Sequence, residues 1–191
     1  TIPVAGVAGD ETFHYTITLE QPLEATRNYN IIFEGNEYKI IMPNIYSTEN
    51  FEKEYTYTGD DLGAGWTPEK TTFRVWAPTA DAVTLNLYAS GTPDTDDLTE
   101  QIPMTSDANG TWVAEKEGDL NGTYYTYLVS VGGEENEACD PYARTTGVNG
   151  ARAMVIDLSS TNPDGWDNDS NPNSGLTYND AVIYELHVRD L

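Results

Sequence analysis

Four ionisable side chains crowd a short stretch near the end of the sequence: Glu185, His187, Arg189 and Asp190. Two carboxyl groups can work together as nucleophile and general acid when they stand about 5 Å apart across a reacting bond. The spacing here does not allow that use. In an extended strand Glu185 and Asp190 lie about 17 Å apart, so no catalytic residue is assigned. Glu185, His187 and Arg189 share one face of the run, where opposite charges can satisfy one another. A second acidic stretch, Gly59-Asp60-Asp61-Leu62-Gly63-Ala64-Gly65, has the glycines of a metal loop without the ligand spacing. An EF-hand alternates its oxygen ligands and ends in a distant Glu, so an ordinary turn is expected here, with no metal site and no cofactor. Cys139 has no second cysteine to pair with. Neither His14 nor His187 is near it in sequence, which predicts a packing role or a semi-exposed thiol rather than a nucleophile.

The remaining chemistry is aromatic. Tyr and Trp number 13 and 4 against 4 Phe. Rings with an apolar body and a polar rim suit half-buried sheet faces, and they also suit stacking on sugars. Trp66, Trp76, Tyr88 and Trp112 are the candidates for such contact. Trp76 falls on the face opposite Phe73 and Val75, where a neighbouring domain is the competing cover. Trp112 shares a face with Ala114, which favours the core, and Tyr88, Tyr124 and Tyr125 are weighed the same way. A net charge of -23, from 32 acidic and 9 basic residues, excludes nucleic acid and anionic membrane surfaces as main partners. No apolar run approaches about 18 residues, so no membrane span is expected. A neutral ligand remains compatible, and the acidity suits a secreted, cell-surface or salt-tolerant setting.

These residues must be held by strands. Thr71 to Tyr88 is the best-patterned stretch: Phe73, Val75 and Ala77 alternate with Arg74 and Trp76, then Val83, Leu85 and Leu87 alternate with Thr84, Asn86 and Tyr88. With Pro78-Thr79-Ala80-Asp81 between them, the economical reading is an antiparallel hairpin with one apolar face. Further strands follow at Thr111–Glu115, Thr123–Val131 and Arg152–Leu158, the last with Met154, Ile156 and Leu158 on one side. Asn109-Gly110, Asn121-Gly122 and Gly132-Gly133 mark the turns. At least five strands in about ninety residues, with no amphipathic helix, predict an immunoglobulin-like β-sandwich over 55–160.

Residues 1–54 read as the end of a preceding β-domain. Phe13, Tyr15, Ile17 and Leu19 share one face, and Tyr29–Phe33 and Glu37–Met42 flank the loop Glu34-Gly35-Asn36. Pro43 closes that strand, and Ser47 or Thr48 caps a helical turn reaching Lys53. Residues 161–191 read as a linker, with Trp166 as anchor, followed by a strand-like run from Ala181. The chain starts at Thr1 with no visible signal peptide and ends in an apolar strand. It is therefore expected to be a processed or excised piece whose last strand pairs elsewhere.

Three stretches resemble a known family: YTGDDLGAGWTPEKTTFRVWAPTADAVTLNLY at 57–88, DPYART at 140–145 with NGARAMVIDL at 149–158, and NPDGWDND with AVIYELHVRDL within 162–191. They are similar to type I pullulanases, starch-debranching enzymes of the α-amylase superfamily. The resemblance implies an all-β starch-module-like domain followed by the first strand of a truncated (β/α)8 barrel. It also implies a parent hydrolase of α-1,6 branches whose catalytic carboxylates lie beyond Leu191, so this chain alone is expected to be inactive. The implied partners are the rest of the polypeptide and an α-glucan such as pullulan or amylopectin. Glycogen-binding relatives carry an Asn-x-Trp and a later Trp, whereas this chain has Leu87-Tyr88-Ala89-Ser90 and Gly132-Gly133-Glu134-Glu135-Asn136 at those places. The rival readings are an independent carbohydrate-binding module and a purely structural sandwich.

Overall fold

The computed structural model of the chain describes residues 1–10, 14–24, 27–42, 44–93 and 96–190, so Phe13 and Pro43 lie outside the described residues. They divide into two compact units, Thr1–Asp157 and Leu158–Leu191.

The first unit begins with two hairpins, β1 (Val4–Gly9) with β2 (Tyr15–Leu19), and β3 (Asn30–Phe33) with β4 (Asn36–Lys39). The second is closed by two residues at positive φ, Glu34 at 50° and Gly35 at 80°, the backbone that matches strand twist in a two-residue turn. Helix α1 (Glu49–Tyr55) follows. Thr48 is the cap that forms, its hydroxyl accepting the Phe51 N–H at 3.2 Å. Glu49 and Glu52 in the first turn and Lys53 in the last complement the helix dipole.

The sandwich comes next. Its strands are β5 (Gly63–Trp66), β6 (Lys70–Trp76), β7 (Ala82–Tyr88), β8 (Leu98–Pro103), β9 (Thr105–Ser106), β10 (Thr111–Glu117), β11 (Tyr124–Val131), β12 (Glu134–Ala138) and β13 (Ala153–Met154). One sheet runs β5-β6-β10-β9. The other runs β12-β11-β7-β8, with β13 beside β11. Phe73 and Val75 from the first sheet face Val83, Leu85, Leu87, Tyr125 and Tyr127 from the second, all buried. The rings of Phe73 and Tyr125 meet edge to face with centroids 4.9 Å apart, a favoured aromatic geometry. The architecture is the expected immunoglobulin-like all-β sandwich.

The pairing within it corrects the sequence reading in one respect. The two strands of Thr71–Tyr88 do not form a hairpin: β6 pairs with β5 and β10, and β7 pairs with β11 and β8. Pro78 to Asp81 instead carry the chain across the sandwich, and the Asp81 N–H donates to Ser130 O at 2.8 Å. Alternation specifies which side chains turn inward and leaves the hydrogen-bonding partner open, because either partner buries the same face.

Three further differences have related causes. The stretch from Gly59 expected to be an ordinary turn runs into β5, and the unexpected strands β8 and β12 lie at sheet edges and are mostly exposed, so neither shows a buried apolar face. Within Arg152–Leu158 only Ala153 and Met154 join the sheet. The core takes Ala153 and Val155 rather than the Met154 side, and Leu158 opens the second unit. In that second unit Leu158–Thr161, Trp166–Asn168, Tyr178–Asp180 and Val188–Asp190 form short 3-10 turns. Val182, Ile183 and Tyr184 are exposed and carry no strand ladder among the described residues.

Candidate functional site

The four aromatic candidates fall at separate places. Trp66 lies opposite Thr71 and Trp112 opposite Val75, so both share the inward face of the first sheet and pack at the rim of the core. Their indole N–H groups are taken by Asp119 Oδ1 at 2.9 Å and Ala77 O at 3.1 Å. Tyr88 lies on the outward side of the second sheet and is buried, with the Arg152 guanidinium 3.7 Å from its ring centroid. Trp76 alone projects from the outward face of the first sheet, into a cleft.

That cleft encloses about 590 Å³ between helix α1 and the sandwich. Phe51 is its seed. Its buried ring contacts Tyr46 at 5.2 Å and 90°, Tyr55 at 4.8 Å, and Trp76 at 6.3 Å and 84°. The Trp76 indole N–H donates to the carbonyls of Tyr55 at 2.8 Å and Asn109 at 3.1 Å, and the Asn109 amide donates back to Glu54 O at 2.9 Å. Gly110, at φ 75°, belongs to this junction: a Cβ there would stand 2.5 Å from Pro78 and 2.9 Å from the Tyr55 ring, so only glycine allows the approach. Tyr57, held by a hydrogen bond to Asp61 and lying 5.6 Å from Arg74, flanks the opening. The wall on the sandwich side is completed by Leu62, Pro78 and Tyr142.

Tyr142 is placed by a buried carboxylate. Asp140 is 4% exposed and accepts the Tyr142 N–H at 2.8 Å, the Tyr125 hydroxyl at 2.7 Å and the Tyr127 hydroxyl at 3.4 Å. Burial pushes the Asp140 carboxyl up, and the donors only partly offset it. Desolvation likewise pushes the Tyr125 and Tyr127 hydroxyls far above their ordinary range, so both stay protonated donors. The folded state therefore holds the Asp140 proton to higher pH than the unfolded chain does, and stability from this group is lost as pH rises from about 4 through the raised value. Asp140→Asn removes that slope and one good acceptor. At neutral pH it is expected to cost about 1–2 kcal/mol. In urea titrations from pH 4 to 7, wild type is expected to gain stability relative to the variant as pH falls; parallel curves would contradict this.

On the other sheet Tyr88 belongs to a closed polar network. Glu137 accepts from Tyr88, Thr126 and, at 3.2 Å, the Asn86 amide, while Gln101 Nε2 donates to Asn86 Oδ1 at 2.9 Å. Burial would raise the Glu137 carboxyl, but these donors and the Arg152 charge hold it below the usual range. Arg152 donates to Ser90 O and Asp97 Oδ1, both at 2.8 Å. This is where the glycogen-binding pattern has its Asn-x-Trp. Here one face of the Tyr88 ring is occupied by Arg152, and the later turn at Gly132-Gly133 leads into the exposed strand β12.

Asp61 is engaged by Arg74 Nε at 2.9 Å as well as by Tyr57, and among the described residues no three His, Cys, Asp or Glu side chains converge on a metal-sized site. Cys139 is half-buried, and burial, then Asp140, push its thiol up. Sequence reasoning missed Tyr46, Phe51, Tyr55 and Tyr142. Tyr46 and Phe51 sit in a segment assigned to another domain, Tyr55 stands at the first residue of the expected sandwich outside its patterned strands, and only the order Asp140-Pro141-Tyr142 within a resembling motif marked the fourth.

Residues 61–143 match the family described as carbohydrate-binding module 48, the isoamylase N-terminal domain. Fold and match together define the sandwich as a module of that class. Similarity extends past it on both sides. The chain is 38% identical over 145 residues to Pullulanase 1, chloroplastic, of Arabidopsis thaliana, covering 71% of this chain and 15% of that protein. Among solved structures, pullulanase from Bacillus acidopullulyticus superposes with a TM-score of 0.71 at 38% identity, over 81% of this chain and 18% of that one. Pullulanase from Paenibacillus barengoltzii, in complex with maltohexaose and alpha-cyclodextrin, gives 0.69 at 49% identity, over 75% of this chain and 22% of that one. The chain corresponds to an N-terminal region of pullulanases and spans less than a quarter of the length of each of these relatives.

Proposed function

We propose that this chain is the non-catalytic N-terminal portion of a pullulanase-type glycoside hydrolase acting on α-1,6 branches of starch-like glucans. In this reading the sandwich supports the catalytic barrel and contacts α-glucan through Trp76. The carrying observation is that the matched module coincides with a sandwich that bears an open cleft lined by aromatic rings. A pullulanase solved with maltohexaose and alpha-cyclodextrin is 49% identical to this chain where the two align. Domain limits of 1–54, 55–160 and 161–191 remain part of the proposal, with Ala181 onward as the barrel's first strand.

Trp66, Trp112 and Tyr88 fit a second, structural reading better: each is tied by its polar atom or ring face to the sandwich itself. Electrophoresis in gels containing pullulan or amylopectin separates the possibilities. The chain is expected to be retarded, and Trp76→Ala to run faster than wild type. Mobility unaffected by the polysaccharide would refute glucan contact. Release of reducing ends from pullulan by the chain alone would refute its non-catalytic role.

A further inference from the structure

The cleft at Trp76 has two walls of different origin. Tyr46, Phe51 and Tyr55 come from the segment before the matched module, while Trp76, Pro78 and Tyr142 come from within residues 61–143. The two parts are joined by specific bonds: Trp76 Nε1 to Tyr55 O, Asn109 Nδ2 to Glu54 O, and the Phe51 ring against the indole. Glycine at 110 lets Tyr55 and Pro78 meet. Helix α1 is thus built into the sandwich by matched donors, acceptors and ring edges.

The lining has its own chemistry. Its large rings are mostly tyrosines, whose hydroxyls give an apolar wall a polar rim. Exposed Glu52 and Thr56 stand at the same opening. A glucosyl ring has the complementary form, with an apolar C–H face and hydroxyls around its edge. The enclosed volume falls in the ordinary range for small-ligand sites.

We infer that this cleft is a composite α-glucan subsite, completed only when helix α1 is docked, so that the module alone carries half of it. The inference rests on the glucan-module reading above. It makes residues 45–56 a functional part of the binding domain and couples glucan affinity to the seating of the preceding segment.

Calorimetric titration of the 191-residue chain with maltohexaose tests it. Tyr46→Ala alters only the helix wall and lies outside the matched residues, Tyr142→Ala alters the sandwich wall, and Trp166→Ala removes an exposed indole elsewhere. Both cleft variants are expected to weaken binding about tenfold with the thermal transition retained, and Trp166→Ala to leave it unchanged. If Tyr142→Ala fails to fold, Pro78→Ala takes its place on that wall. Loss only in the sandwich-wall variant would overturn the composite site. Wild-type binding unaffected by either wall would overturn the cleft as the site and leave the module reading standing. No binding by wild type would remove the glucan reading itself.

Discussion

Phe73→Ala is expected to lower the unfolding free energy by about 3–5 kcal/mol, near the top of the range for a core aromatic. The ring is 0% exposed. Its ladder neighbours are Ala64 on β5 and Ala114 on β10, so the phenyl group fills space that both flanking residues leave open. Neither alanine can grow into the vacancy, and Tyr125 is fixed by its hydroxyl on Asp140. The cost therefore includes an uncollapsed cavity as well as the lost transfer term. Urea unfolding followed by near-ultraviolet circular dichroism measures it. A loss below about 2 kcal/mol would mean that the sheets close over the gap.

Arg152→Met is expected to cost about 3–5 kcal/mol, because removing one partner of a buried pair leaves the other charge uncompensated. The Arg152 side chain is 8% exposed and that of Asp97 18%, with Nη1 and Oδ1 at 2.8 Å. The guanidinium also holds Ser90 O and covers the Tyr88 ring. The surrounding loops are pressed together at Gly91 and Gly147, where a Cβ on either would meet the other backbone within 3 Å, so little relaxation is available. Adding Asp97→Asn to Arg152→Met is expected to recover part of the loss. Simple additivity of the two substitutions would show that the charges do not act as a pair.

Legibility in the sequence followed burial. Strands β6, β7, β10 and β11 form the core, and their alternation or apolar content was readable because one face of each meets the opposite sheet. Trp112 was readable as inward from its parity with Ala114. Edge strands β8 and β12 were not readable, since LTEQIP and EENEA bury almost nothing. The candidate site was legible only at Trp76. Its other rings reach it through contacts that have no period: a helix turned onto the sheet by Phe51, and a loop tyrosine set by Asp140. The position of Tyr88 was readable, whereas its cover by Arg152 depends on a segment more than sixty residues downstream.

The crossing of Pro78–Asp81 between the sheets also governs how the chain can fold. A hairpin would let β6 and β7 pair at once after a four-residue turn. In the sandwich β6 pairs nearby with β5 and β7 with β8, but their central ladder partners, β10 and β11, lie about forty residues further along. Each strand keeps one of its two ladders open until a long loop has closed, an entropic cost met before the four central strands face one another across the core. During synthesis β6 leaves the ribosome with only the short strand β5 to pair with, and β7 lacks its central partner until Tyr124–Val131 has followed.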